Sequence, residues 1–161
     1  MGYDMSQRES KFKIKAENMP LVLNTLNLLS EQAPYQPRGH FAFVDTPTLF
    51  SARTVEEQLK EWRWDPEFDN QGNIVELNFS CERLGDDKLL FDTLAPFVEA
   101  GSFINMTGEE GDVWRWYFTG AECLEQDGTV QYPAVPGGDI IDVVAKDVTE
   151  ETRPGRLLPN N

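Results

Sequence analysis

The chain has 161 residues, 40% of them hydrophobic, enough for one domain with its own core and too few for two. Twenty-eight Asp and Glu oppose fourteen Lys and Arg, a formal charge of −14 with a pI near 4.4. Such a charge keeps a protein in solution and repels nucleic-acid backbones and anionic lipid from most of its surface, so direct nucleic-acid binding and membrane association are not expected.

Ser10-Lys11-Phe12-Lys13-Ile14-Lys15 alternates apolar and basic residues, the period of a half-buried strand with a lysine face. Asn18 and Pro20 mark a helix start, and Val22, Leu26 and Leu29 recur at helical spacing, with Leu21 and Leu28 alongside them on one apolar face. Pro34 and Pro37 end that helix. His40 to Val44 reads as a short strand, followed by a Thr46-Pro47 turn. Thr54-Val55-Glu56-Glu57 is a capping box, and Val55, Leu59 and Trp62 give the second helix its apolar face. Asp65-Pro66 stops it. After an Asn70-Gln71-Gly72 turn, residues 74–80 alternate as a strand.

A third helix follows Gly85, with Leu90, Leu94 and Phe97 as its stripe, Asp86 and Asp87 at its N-terminal end, and Pro96 limiting its length. Ile104 and Met106 on one strand, and Trp114, Trp116 and Phe118 on the next, enclose Gly108-Glu109-Glu110-Gly111-Asp112. This is a hairpin with an apolar inner face and an acidic tip. Gln126-Asp127-Gly128 reads as one more hairpin turn, between Cys123-Leu124 and Val130-Tyr132. From Pro133 the texture changes to a Pro/Gly linker and a tail, with a short strand at Ile140 to Val144. The expected fold is therefore α+β: a small antiparallel sheet with about three helices on one face in a domain of residues 1–132, then a tail at 133–161.

Chemistry-bearing residues are few. His40 is the sole histidine, and no nucleophile elbow, P-loop or dinucleotide-binding glycine pattern accompanies it. Cys81 and Cys123 form no metal-binding pair; both lie in strand-like stretches and are expected to be buried, reduced thiols, as suits a cytoplasmic protein without a leader or spanning segment. Asp65, Glu67, Asp69 and Glu76 have the spacing of an EF-hand loop. Asn70 stands where that loop needs glycine, however, and a strand follows instead of a helix, so no metal or other cofactor is expected. Trp114 and Trp116 are read as core in preference to a stacking platform, with arginines lying over neighbouring rings.

Residues 84–145 hold twelve acids against Lys88 and Arg115 alone. Within them Asp86 and Asp87 at a helix start, and Glu109, Glu110 and Asp112 at the hairpin tip, are the candidate partner-binding residues. Carboxylates accept hydrogen bonds from arginine much as phosphates do. Gly2-Tyr3-x-Met5…Arg8-x-Ser10-x-Phe12, Gly85-Asp86…Leu90-Phe91…Ala95-Pro96-Phe97-Val98-Glu99-x-Gly101-Ser102 and Gly108-Glu109-x-Gly111-x-x-Trp114-Arg115-Trp116 resemble small acidic proteins of bacteriophages and their bacterial hosts over roughly residues 1–120. That resemblance implies a phage-type accessory protein made in the bacterial cytoplasm and assigns no site residue. The expected function is that of a non-enzymatic binding protein, an inhibitor whose acidic surface imitates nucleic acid and blocks a basic groove on a host or defence protein. The alternative is an assembly accessory of a phage particle that docks through residues 133–161, and a small hydrolase or metal-dependent enzyme ranks third. The sequence sets no oligomeric state.

Overall fold

The computed structural model describes residues 2–132, and the tail with its expected strand at 140–144 lies outside them. The fold is α+β. In chain order it contains β1 (Tyr3–Lys11), α1 (Met19–Ser30), α2 (Thr46–Ser51), α3 (Val55–Glu61), β2 (Trp64–Phe68), β3 (Ile74–Phe79), β4 (Arg83–Leu84), α4 (Asp87–Leu94), β5 (Phe103–Gly108), β6 (Val113–Phe118) and β7 (Cys123–Asp127). The strands form two antiparallel sheets: five strands in the order β4-β1-β5-β6-β7, and the hairpin β2-β3.

The β5–β6 hairpin follows its sequence pattern. Ile104 pairs with Trp116 and Met106 with Trp114, and all four side chains point inward and are at most 1% exposed. Phe91 of α4 meets this face, its ring centroid 4.9 Å from Trp116 and 5.8 Å from Phe118. Trp64 of β2 closes the cluster, 5.1 Å from Phe91 and 6.2 Å from Trp116. Helices and the small sheet thus cover one side of the large sheet, as expected for apolar faces that must exclude water.

Several local expectations are corrected. His40 to Val44 is not a strand: Phe41 and Val44 are buried, but the chain turns at Phe43, whose φ is +62°. Thr46-Pro47 opens α2 instead of a simple turn, because Asp45 caps the Thr48 N–H at 3.1 Å and proline suits a first helical turn. Leu21 and Leu28 of α1 face solvent, and the face that meets the core carries Val22, Leu26 and Leu29, with Met19 and Leu23 packed at its edge. Asp65-Pro66 lies inside β2, which a proline tolerates because β2 has a strand on only one side. The last reversal falls at residues 119–122, where Thr119 N–H meets the Glu122 carbonyl at 2.9 Å and Gly120 takes φ +101°. Residues Gln126 and Asp127 stay in β7, paired with Arg115 and Trp114. Cys81 is exposed beyond the end of β3, and only Cys123 is buried.

Two polar residues of β1, Ser10 and Gln7, reach across to β3 of the small sheet. The Gln7 side-chain amide donates to the Leu77 carbonyl at 2.9 Å and accepts the Phe79 N–H at 2.7 Å. It acts as one peptide unit of a strand that is not there, beside a bulge between Gln7 and Ser10.

Candidate functional site

The first residues of β1 gather the acidic loops. Tyr3 pairs with Leu84 of β4 on one edge, and Met5 pairs with Gly108 of β5 on the other. The approach to α4 and the β5–β6 turn therefore meet at the same end of the sheet. The Tyr3 hydroxyl donates to Asp112 Oδ1, and the Asp4 backbone N–H donates to Glu109 Oε1. Asp86 lies two residues beyond Leu84, in a cleft of about 790 Å³ that Tyr3, Arg38, His40 and Phe43 also line. Glu82 and Asp4 share a second cleft with Glu109. Asp4, Glu82, Asp86, Glu109, Glu110 and Asp112 thus form an acidic pole of the molecule. Two cations offset it: Arg83 Nε lies 2.9 Å from Asp4, and Arg38 lies 3.1 Å from Asp86, both in solvent-accessible pairs of small net worth.

The pole is shaped by hydrogen bonds as well as charge. Asp86 accepts the Ala42 N–H at 2.7 Å, which ties residues 38–42 to the start of α4. A Cβ at Gly108 would run into the Tyr3 ring and hydroxyl and the Asp112 carboxylate, which would have to shift. Gly111 supplies the positive φ of +88° that turns the chain at the tip. His40 is exposed beside Asp86, its Nδ1 donating to the Arg38 carbonyl at 2.9 Å.

Asp87 does not belong to this surface, a correction to the sequence reading. It is 0% exposed. Its carboxylate accepts Arg63 Nη2 at 2.9 and 3.0 Å, Trp64 Nε1 at 2.9 Å and the Gly85 N–H at 2.8 Å. Arg63 in turn donates to the Arg83 carbonyl and lies 5.5 Å from the ring centroids of both Phe43 and Phe79. The signal was present in Trp62-Arg63-Trp64: a cation between two core tryptophans cannot be buried without an anion.

The other candidates are structural. Asp69 closes its own turn by accepting from Gln71 N–H, Asn73 N–H and Asn73 Nδ2, each at 2.9 Å, and the Asn73 side chain holds its carboxyl below the ordinary value of 3.8. Glu67 accepts from Asn78, Glu76 from Ser10, and Asp65 lies 3.9 Å from Lys60. The four carboxylates are engaged separately, and no cluster of three or more metal-ligating side chains exists among the described residues. Trp114 and Trp116 are core, and Trp116 Nε1 donates to Glu125 at 2.9 Å. No described helix is long and apolar enough to cross a membrane.

The two thiols differ. Burial pushes Cys123 up to about 12. Burial also acts on Cys81, but the backbone N–H groups of Arg83 and Glu82 and the Arg63 guanidinium outweigh it and lower the thiol below its ordinary value.

No family model, curated protein or solved structure matches the chain.

Proposed function

We propose that the chain is a non-enzymatic binding protein that inserts its acidic pole into a basic groove on another protein and competes there with nucleic acid. One observation carries this reading: Asp86, Glu109, Glu110 and Asp112, spread over twenty-seven positions of sequence, sit around the first residues of β1. A partner that holds phosphates offers arginine forks and ammonium groups, and fixed carboxylates satisfy both. Glu109 and Asp112 are held by hydrogen bonds from β1, so little ordering entropy is lost when they are engaged.

The test is a pull-down from bacterial lysate at low and high salt, with the wild type and with Glu109→Gln, Glu110→Gln and Asp112→Asn combined. These replacements keep one acceptor oxygen at each position, exchange the other for an amide donor and remove the charge. The wild type should retain a partner at low salt that added nucleic acid displaces, and the triple variant should lose it. A partner held equally by the triple variant, or one that nucleic acid leaves in place, would contradict the reading.

A further inference from the structure

The bend between β3 and β4 sets a nucleophile beside a donor that has no acceptor. Cys81 sits in this bend and is exposed. Ser80 N–H and Oγ donate to the Arg63 carbonyl at 2.9 and 3.0 Å, and Met5 N–H donates to the Glu82 carbonyl at 2.7 Å. Arg63 Nη1 donates to the Arg83 carbonyl, so the guanidinium lies against the segment that carries Cys81. Arg63 is 7% exposed, yet its Nε–H is buried and meets no acceptor among the described residues. A buried donor without a partner costs free energy, and this one belongs to a side chain that reaches the Cys81 sulfur.

The surroundings suit one kind of reaction. Burial raises the Cys81 thiol, but the Arg83 and Glu82 N–H groups and a hydrogen bond from the Arg63 side chain outweigh it, and the thiol falls below its ordinary value. The thiolate is the reactive form. Cys81 lines a cleft of about 270 Å³ together with Asp4, Glu82, Thr107 and Glu109. Three carboxylates there disfavour anionic oxidants, and the size of the cleft admits a small neutral one. Thr107 Oγ1 is a second buried polar atom of the cleft with no partner among the described residues. The chain's other thiol is out of reach. Met5 pairs with Gly108 at the Cys81 end of the large sheet, whereas Cys123 pairs with Phe118 at the Phe103 end. The six residues of β5 separate those ends by roughly 16 Å, too far for a disulfide.

We propose that Cys81 is a modification site for hydroperoxides, oxidised to a sulfenic acid that Arg63 Nε holds. The thiolate sulfur attacks one peroxide oxygen, and an S–O bond forms as the O–O bond breaks. Two electrons pass from sulfur to the peroxide, and the leaving oxygen takes up the proton that the thiol released. Thiol and hydrogen peroxide thus give sulfenic acid and water. The new oxygen is an acceptor for the Arg63 Nε–H, which then has the partner it lacks. With no second thiol nearby, the sulfenic acid persists instead of closing to a disulfide. The inference does not rest on the acidic-pole reading.

The experiment treats the reduced full chain with a small excess of hydrogen peroxide at neutral pH and traps the product with dimedone. Mass spectrometry should find one dimedone adduct at Cys81 and none at Cys123. The adduct should form severalfold faster than at Cys81 of the unfolded chain, which lacks the Arg63 guanidinium and the fixed amides. On oxidation the Arg63 Nε–H resonance should shift and its exchange with water should slow, as for a donor that has gained an acceptor. Arg63→Lys keeps a cation and removes Nε, so in the folded variant the sulfenic acid should be lost severalfold sooner. Thermal melts establish whether that variant folds, and the Nε–H measurement on the wild type decides the matter where it does not. No adduct at Cys81, a rate equal to that of the unfolded chain, an unmoved Nε–H resonance, or an unchanged lifetime in folded Arg63→Lys would each overturn the proposal.

Discussion

Arg63 and Asp87, twenty-four positions apart, form a buried ion pair in which one guanidinium nitrogen reaches both carboxylate oxygens, at 2.9 and 3.0 Å. Trp64 Nε1 and the Gly85 N–H complete the shell around the carboxylate. Removing one member leaves the other charge buried without compensation. Asp87→Ala should therefore destabilise by about 3–5 kcal/mol in urea unfolding, whereas Asp86→Asn, one residue earlier and partly exposed, should cost far less. Equal losses for the two would contradict the distinction drawn between core and pole.

The aromatic cluster predicts a second large effect. Trp116 is 1% exposed and touches Phe91, Trp64 and Trp114. Trp116→Ala should cost about 3–5 kcal/mol, the range for truncating a packed aromatic. A loss below 1 kcal/mol, read from the denaturation midpoint, would show that the cluster does not carry the core.

Gln7 gives a test of the joint between the sheets. Gln7→Leu removes both hydrogen bonds and leaves the Leu77 carbonyl and Phe79 N–H facing an apolar group. A cost of about 1–3 kcal/mol is expected. Faster amide exchange of Phe79 should accompany it, and an unchanged exchange rate would show that the bridge is dispensable.

Thiol chemistry separates the two cysteines. In the native protein a disulfide reagent at slightly alkaline pH should modify Cys81, which is exposed and has a lowered pKa, and leave Cys123, whose thiol is pushed up to about 12. Unfolding should release the second thiol. Two equally fast equivalents without denaturant would contradict the burial of Cys123.

Asp69 offers a pH check. Its carboxyl is held below 3.8 by the Asn73 side chain in the folded state, so what this turn contributes is present above the unfolded carboxylate pKa and lost as pH falls through the folded one. NMR titration should give Asp69 a midpoint below 3.8, and Asn73→Ala should move it upward. A midpoint insensitive to Asn73 would remove the proposed cause.

Pattern alone identified what repeats locally. Val22, Leu26 and Leu29 announce α1, Thr54 caps α3 with its hydroxyl 3.1 Å from Glu57 N, and the β5–β6 alternation is met residue for residue. The capping box is displaced by one position: Glu57 reaches the Arg53 N–H at 2.6 Å instead of that of Thr54. What depended on distant partners was hidden. Pro66 looks like a helix stop until β3 is seen beside it, and Phe41 and Val44 are apolar for the core without being a strand. Asp86 and Asp87 are indistinguishable in sequence, yet the helix rotation sends one to the cleft and the other under Trp64. The gathering of Glu109, Asp112 and Asp86 around Tyr3 needs the pairing of β1 with both β4 and β5, which no local pattern encodes.

The central claim concerns the acidic pole, and association kinetics address it most directly. With the captured partner immobilised, the association rate of the wild type should fall steeply as salt rises, because long-range charge steers encounter. The triple replacement at Glu109, Glu110 and Asp112 should associate about tenfold more slowly at low salt while staying folded in thermal melts, since the remaining amide oxygens can still accept from the Tyr3 hydroxyl and the Asp4 N–H. An association rate that is insensitive to salt, or a folded triple variant that associates as fast as the wild type, would contradict the account.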